Sequence, residues 1–311
     1  MLLIAGGYEG GLVGLNVDED CDSSASSTTS TAPSQPSFAF RFICSQGSIR
    51  CLALGSDFLC CGGSDETVQV YGLRHRKKHG DLLLSAGCIT ALGARGSIAN
   101  GLLLVGDEHG SLQVFDVLKL SLKKQLKGHK SAVTAISVHP NGELALSVSE
   151  DATLRLWDLN TCLCVFFSRL NEPAIGVQWH PGGEDYFILF ESQLLKLSLS
   201  EGAKPSVHKA NNTKYCCASW IGDSIAVGCR SGAVVIYPPG EESGTDFGGV
   251  HSKRIKAITS LSGRVVTADS DGTILCSAVV SDDSEAPKLV EAWRFNVEMR
   301  VNCLTCSTAV E

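Results

Sequence analysis

The sequence predicts an all-β chain folded as a seven-bladed β-propeller, one closed ring spanning residues 1–311. Two periodicities predict the blades, and the way they fall out of step at the chain ends predicts closure. The first is a short apolar strand that follows a polar turn. It reads in order GYEGGLVGLNV, SDETVQVYGL, GDEHGSLQVFDV, SEDATLRLWDL, FESQLLKLSL, CRSGAVVIYP and DSDGTILCSAV. The first apolar residues of these strands are Leu12, Val68, Leu112, Leu154, Leu194, Val234 and Ile274, in steps of 56, 44, 42, 40, 40 and 40 residues. A period of about 40–45 residues holding four short strands is the signature of propeller blades. The second periodicity is a small residue between apolar neighbours on an earlier strand of each unit: Cys51, Ala91, Ala135, Gly176, Cys217, Ala257 and Cys303. Innermost strands crowd around a narrow axis, so a small side chain there is a packing requirement.

Both markers count seven, yet the first unit has no small-residue strand before it and the last small-residue strand has no strand after it. Joining the ends completes one blade. Residues 300–308 are expected to supply its inner strand and residues 2–17 its middle strands, which removes the exposed edges of a linear array. Within this closing blade, the step of 56 is explained by CDSSASSTTSTAPSQPS (21–37). Its Ser, Thr, Ala and Pro cannot bury apolar area, so a disordered loop is expected there, either a plain linker or a place for phosphorylation.

The next two units carry the positive charge. Ten Lys/Arg stand against four Asp/Glu between Arg74 and Lys130, in a chain of net charge −7. The densest piece is RHRKKH (74–79), placed in a turn between third and outer strands, followed one unit later by Lys119, Lys123, Lys124 and Lys127. Arg74, Arg76, Lys77, Lys78, Lys119, Lys123 and Lys124 are the candidate partner-binding residues, suited to RNA phosphates or an acidic protein surface. The same charges also fit a solvated rim.

The fourth unit, GHKSAVTAISVHPNGELALSVSEDATLRLWDL (128–159), is the best formed. Its Gly-His and Trp-Asp ends mark the Trp-Asp (WD40) type of repeat. His129, Ser147, Asp151 and Trp157 are expected to form a buried polar set that holds the turn, stable only if every member is satisfied. Asp65, Asp107 and Asp271 are expected to keep the turn acid in other units, with Tyr71, Phe115 and Tyr237 replacing the indole. His129, Ser147 and Asp151 are also the residue types of a hydrolytic triad, but at these spacings the structural role is the better reading. His139 and His180 sit in matching His-Pro-x-Gly turns and read as turn structure. Further along, GEESGTDFGG (240–249) reads as a second mobile loop.

No phosphate-cradling glycine loop precedes a helix. Acidic clusters at 18–20 and 282–283 are placed in loops and lack metal-site spacing. No catalytic residue, cofactor or metal is expected. No apolar run reaches a membrane span, and the first residues lack the basic region of a signal peptide, so a reducing compartment is expected. The 14 cysteines then read as small buried thiols rather than disulfides or zinc ligands. Cys51, Cys217 and Cys303 stand where other units use Ala or Gly, which supports that reading.

Specific stretches go further. LLIAGGYEGGLVGLNV, GSDETVQVYGLRHRKKHGDLLL, the Gly-His to Trp-Asp unit and VQWHPGGEDYFILFESQL resemble the p21-activated-kinase-interacting protein family, in the same order along the chain. The Lys77-Lys78-His79-Gly80 turn after an acidic-Thr strand is the most specific of these. The resemblance implies a non-enzymatic scaffold of the nucleus and nucleolus that serves maturation of the large (60S) ribosomal subunit and rRNA processing. Its implied partners are ribosome-assembly proteins, the pre-60S particle and, through the basic residues, rRNA phosphates. The other role it implies is negative regulation of a p21-activated kinase. A monomer is expected outside the particle.

Overall fold

The computed structural model describes residues 1–18, 35–84, 87–200, 202, 204–210, 213–241, 243–282 and 285–307. They form seven four-stranded antiparallel sheets. From the innermost strand outward, blade 1 is Val301–Ser307, Leu2–Gly7, Gly11–Asn16 and Ser37–Ile43. Blade 2 is Ile49–Leu54, Phe58–Gly63, Thr67–Gly72 and Lys77–Leu83, and blade 3 is Ile89–Arg95, Leu102–Asp107, Leu112–Asp116 and Ser121–Leu126. Blade 4 is Val133–Val138, Leu144–Ser149, Thr153–Asp158 and Leu163–Arg169, and blade 5 is Gly176–Trp179, Asp185–Leu189, Gln193–Ser198 and Ser206–Lys209. Blade 6 is Tyr215–Ile221, Ser224–Cys229, Val234–Tyr237 and Thr245–Phe247, and blade 7 is Ile255–Leu261, Arg264–Asp269, Thr273–Asp282 and Glu285–Asn296.

Both sequence markers land on equivalent positions. The seven apolar markers all lie on third strands and are at most 2% exposed. The seven small residues all lie on innermost strands. The ring closes as expected: Leu2, Leu3, Ile4, Ala5 and Gly6 pair with Ser307, Cys306, Thr305, Leu304 and Cys303.

Glycine makes the blades fit. A Cβ on Gly6, Gly62, Gly106 or Gly228, all on second strands, would lie within 3 Å of Ile49, Ile89, Val133 or Ile255, the residue that starts the next blade's innermost strand. At such distances a larger residue would force its buried neighbour to shift. Those four apolar partners are fully buried, so each blade is keyed into the next by an aliphatic side chain in a glycine notch.

Polar clasps repeat the same connection on both faces. Thr90 Oγ1 donates to the Val133 carbonyl at 2.6 Å, Thr134 Oγ1 to Ala174 at 2.7 Å, and Asn302 Nδ2 to Ile49 at 3.0 Å. On the opposite face Arg95, His139 and His180 bond the turn carbonyls of Gly142, Gly183 and Gly222 in the following blades. His139 and His180 also pack edge-on against Trp179 and Trp220, with centroids 4.8 and 4.7 Å apart. The two His-Pro-x-Gly turns are therefore structural and also inter-blade clasps.

Several boundaries differ from the sequence expectation. Most of the Ser/Thr-rich segment 21–37 lies outside the described residues, but Ser37 begins the outer strand of blade 1. The expected loop 240–249 contains Thr245–Phe247, a three-residue outer strand that bonds Val234–Ile236. The chain is polar and glycine-rich there, so backbone pairing alone marks the strand. Asp282 ends a long strand of blade 7 rather than sitting in a loop, and its neighbour Asp283 lies outside the described residues, as do Glu19 and Asp20.

Candidate functional site

The blade 4 polar set assembles as a directed relay. The Trp157 indole N–H donates to Ser147 Oγ at 2.8 Å, and Ser147 Oγ lies 2.7 Å from His129 Nε2. His129 Nδ1 lies 3.0 Å from Thr153 Oγ1, which donates to Asp151 Oδ1 at 2.5 Å. Because the Thr153 hydroxyl donates to Asp151, it accepts from His129 Nδ1–H, which leaves Nε2 to accept from the Ser147 hydroxyl. Thr153, absent from the sequence expectation, stands between His129 and Asp151, whose direct separation is 3.4 Å. Burial pushes the His129 imidazole below its usual value, against the nearby Asp151 carboxylate that favours its charged form. Burial raises the Asp151 carboxyl, but hydrogen bonds from Thr153 and the Lys130 N–H outweigh it and hold the group low. Ser147 and His129 are buried and their polar atoms are taken up by other members of the relay, so the set fixes the turn and leaves Ser147 no path to a substrate.

Blade 7 carries a second version. His251 Nδ1 lies 3.1 Å from Asp269 Oδ2, and its Nε2 lies 2.7 Å from Thr267 Oγ1. The turn acid here is Asp269, not Asp271. Asp269 Oδ1 accepts from the backbone N–H groups of Asp271 and Thr273 at 3.0 and 2.9 Å. Asp107 does the same for His109 and Ser111 in blade 3. Asp65 keeps the Asp151 position in blade 2 and accepts from Ser45 Oγ at 2.6 Å. A carboxylate can thus reach the turn amides from either of two positions two residues apart, on one side of the strand, which is why alignment to Asp151 selected the wrong residue in blade 7. Among the described residues blade 6 has no such set; the phenols of Tyr215 and Tyr237 bond each other instead.

The cysteines are mostly enclosed, but Cys164 is exposed on the outer strand of blade 4, contrary to a uniform buried reading. Its strand reads LCVFFSR, and Leu163, Val165, Phe166 and Phe167 are exposed beside it. Outer strands have no partner across their free edge, so burial is lost there. Burial raises the thiols of Cys51, Cys60, Cys217 and Cys303 on the inner two strands, which disfavours the reactive thiolate. Among the described residues no His, Cys, Asp and Glu side chains gather into a metal-holding group.

The basic residues expected from sequence fall on the rim, but not in one turn. Arg74 and Arg76 lie in the turn before the outer strand of blade 2, whereas Lys77 and Lys78 begin that strand. Lys119 lies in the matching turn of blade 3, and Lys123 and Lys124 lie on its outer strand. All seven are exposed. The two groups are brought together: Leu120, beside Lys119, packs over Gly80, where a Cβ would meet its Cδ1 at 2.1 Å. Three of the seven are already engaged. Arg76 Nη1 donates to the Ala39 carbonyl of blade 1 at 3.0 Å, Lys124 Nζ to Thr161 of blade 4 at 3.3 Å, and Lys78 pairs with Asp81 at 2.8 Å.

A second positive region was not visible as a run of charge. On the face that holds the turns between second and third strands, a cavity of about 590 Å³ opens at the ring axis. Arg50, Lys214, Arg230, Arg254 and Lys256 line it, with Glu191 as the one acidic lining residue among the described residues. Lys214 Nζ bonds Glu191 and holds its carboxyl below the usual value. Tyr8 stands at its wall, with Lys256 Nζ 5.2 Å and Arg300 Cζ 4.7 Å from its ring centroid. The Lys256 hydrogen bond to its oxygen, aided by the charges of Arg254 and Arg300, draws the phenol below its usual pKa. The position is set by a repeated β-bulge: pairing skips one residue after Ile49, Ile89, Val133, Tyr215 and Ile255. Arg50 and Lys256 are bulged residues, in register with Thr90, Thr134 and Cys216. The detectable signal in the sequence is the residue just before each small marker, read across blades rather than along the chain.

Comparison with known proteins accords with this architecture. The WD domain, G-beta repeat model matches residues 120–158, the outer strand of blade 3 and the first three strands of blade 4. The p21-activated protein kinase-interacting protein 1-like protein of Danio rerio is 30% identical over 262 residues, covering 83% of this chain and 70% of that protein. Protein MAK11 of Saccharomyces cerevisiae is 30% identical over 203 residues, covering 60% of this chain and 48% of that protein. Among solved structures, the Cps50 (Swd1) β-propeller domain from Myceliophteria thermophila has a TM-score of 0.54 at 19% identity, covering 63% of this chain and 69% of that one, which shows the shared fold. The closed seven-blade ring and this similarity across most of the chain place it in the p21-activated protein kinase-interacting protein 1 family of WD40-repeat propellers.

Proposed function

We propose that the chain is a non-enzymatic interaction scaffold acting in the nucleus, within the nucleolus, on maturation of the 60S ribosomal subunit. The observation that carries this reading is the division of its polar groups. Of the triad-like residues, His129 and Ser147 are buried and Asp151 is half-buried, all spent on holding the blade, while unneutralised cations are displayed on a rigid acidic ring. Rigid scaffolds bind partners with little ordering cost, and surface cations favour RNA-rich or acidic partners. The family's implied link to large-subunit assembly and the similarity to Protein MAK11 support the same role. Under this reading the rim residues Arg74, Lys77, Lys119 and Lys123 contact the pre-60S particle through rRNA phosphates or an assembly protein.

The relatives' names favour a second reading, a regulator that binds a p21-activated kinase. Affinity purification from nuclear extract with mass spectrometry, paired with sedimentation of the bait, separates them. Enrichment of pre-60S factors and co-sedimentation with a particle are expected. A kinase as the dominant partner with no particle association would replace the first reading by the second.

A further inference from the structure

The channel mouth collects charge that no hydrogen bond of the fold requires. Arg50 comes from blade 2, Arg230 from blade 6, Arg254 from the loop leading into blade 7, and Arg300 from the loop before Val301 of blade 1. All four are exposed. The single lining carboxylate, Glu191, is held by Lys214. Like charges placed around one opening repel one another, so this arrangement costs stability in the free protein and is relieved by an anion. Other exposed carboxylates on this face, Glu9, Glu66, Glu108, Glu150 and Asp271, sit on the turns between second and third strands and do not line the cavity.

We propose that the channel mouth is a docking site for an acidic peptide segment of a partner protein, with Arg50, Arg230 and Arg254 as the residues that take its carboxylates. The guanidinium fork matches a carboxylate in bidentate geometry. A cavity of about 590 Å³ holds a few peptide residues and does not admit a nucleic-acid duplex, whose phosphates lie on a convex surface. Single-stranded RNA needs open aromatic faces for base stacking. Of the two aromatic lining residues, Tyr8 already has Lys256 and Arg300 over its ring, and Tyr215 is buried with its phenol bonded to Tyr237. The floor includes Ile175 and Cys216, which suit the aliphatic part of a peptide side chain. This inference rests on the chain being an interaction module, and not on its ribosomal role.

The test uses the purified full chain and a fluorescently labelled ten-residue peptide of alternating Glu and Asp, read by anisotropy. Saturable binding is expected, weakening about tenfold or more between 50 and 300 mM NaCl as the charges are screened. Arg50→Glu with Arg254→Glu should lower affinity at least about tenfold. If that pair melts early, Arg230→Gln alone serves, with a smaller loss at unchanged melting. Arg169→Glu, on the exposed outer strand of blade 4 and outside both positive regions, should leave peptide binding unchanged. Absence of peptide binding at 50 mM NaCl overturns the proposal, as does equal binding by the mouth variants. A ten-nucleotide single-stranded RNA held more tightly than the peptide, and lost in the same variants, assigns the site to nucleic acid and equally overturns it. None of these outcomes depends on pre-60S association, so failure here is distinguishable from failure of the scaffold role.

Discussion

The two positive regions are assembled in opposite ways. The rim residues of blades 2 and 3 are neighbours in sequence, and folding disperses them. Strand alternation splays Lys77 and Lys78, and Arg76, Lys78 and Lys124 are tied to neighbouring groups. Arg50, Arg230, Arg254 and Arg300 are separated by up to 250 residues, and folding gathers them at one opening. In a ring of repeats, charge density along the chain reports on a turn or an outer strand. Charge density at the channel is visible only when equivalent positions of different blades are superposed.

Breaking the ring gives the largest expected effect and separates the two regions most sharply. Deleting residues 300–311 removes Arg300 and the innermost strand that pairs with Leu2–Gly6. It also strips the cover from Leu3, Ala5 and Val13, which are at most 2% exposed. Loss of a cooperative melting transition is expected, together with aggregation through the two open edges. The rim sequence would be intact but unsupported. A truncated chain that melts and stays soluble like the parent would mean that blade 1 is not closed by these strands.

Next in size are variants of the blade 4 relay, remote from the mouth. Trp157→Ala leaves a cavity and should cost about 3–5 kcal/mol. Asp151→Ala leaves the Thr153 hydroxyl and Lys130 N–H without their acceptor and should cost about 1–3 kcal/mol. Denaturant titration measures both. Any loss at the rim and the mouth should then follow the loss of folded protein in equal proportion. A stable Asp151→Ala chain that lost only one binding activity would give the relay a direct functional role.

What the sequence made legible follows from packing geometry. The blade count, the closure and the four members of the relay were readable because a narrow axis demands small residues and a buried turn demands a fixed set of partners. Thr153 was hidden because a hydroxyl near a turn has many local uses, and only the 3.0 Å approach to His129 selects this one. Asp269 was hidden because two positions can serve the same turn. The outer strand at Thr245–Phe247 was hidden because its side chains bury little and pairing alone defines it. The mouth escaped because its residues share a blade position, not a neighbourhood in sequence.

A third measurement concerns pH. Burial holds His129 and His251 below their usual value, while in the unfolded chain both titrate near about 6.5. The unfolded state therefore binds more protons below that pH. The stabilisation is complete above about pH 6.5 and is lost as pH falls through that value toward the lower folded ones. Asp151 is held low in the fold, so its contribution declines only in more acidic solution, below about pH 4. The denaturation midpoint should drop between pH 7.5 and 5.0. His129→Gln with His251→Gln should start lower and show a flatter slope. An unchanged slope would mean that folding leaves the proton affinity of these imidazoles unaltered.

The smallest expected effect on stability is at the rim, and it bears most directly on the comparison. Arg74, Lys77, Lys119 and Lys123 are exposed and are the four of the seven not assigned to the fold by the contacts of Arg76, Lys78 and Lys124. Changing these four to Glu should move the denaturation midpoint by no more than about 0.5 kcal/mol equivalent. Including Arg76 would add a structural cost, because its bond to Ala39 ties blade 2 to blade 1 and its φ of 50° already places a side-chain residue in the left-handed region. If the rim meets rRNA phosphates, the four-residue variant should sediment poorly with pre-60S particles, and its residual binding should depend less on salt, since fewer counterions are released. The mouth variants should keep the parent's salt slope for particle binding if rim and mouth serve separate partners. Equal sedimentation of the rim variant and the parent would make the rim a solvated surface, and leave the mouth as the positive region available for docking.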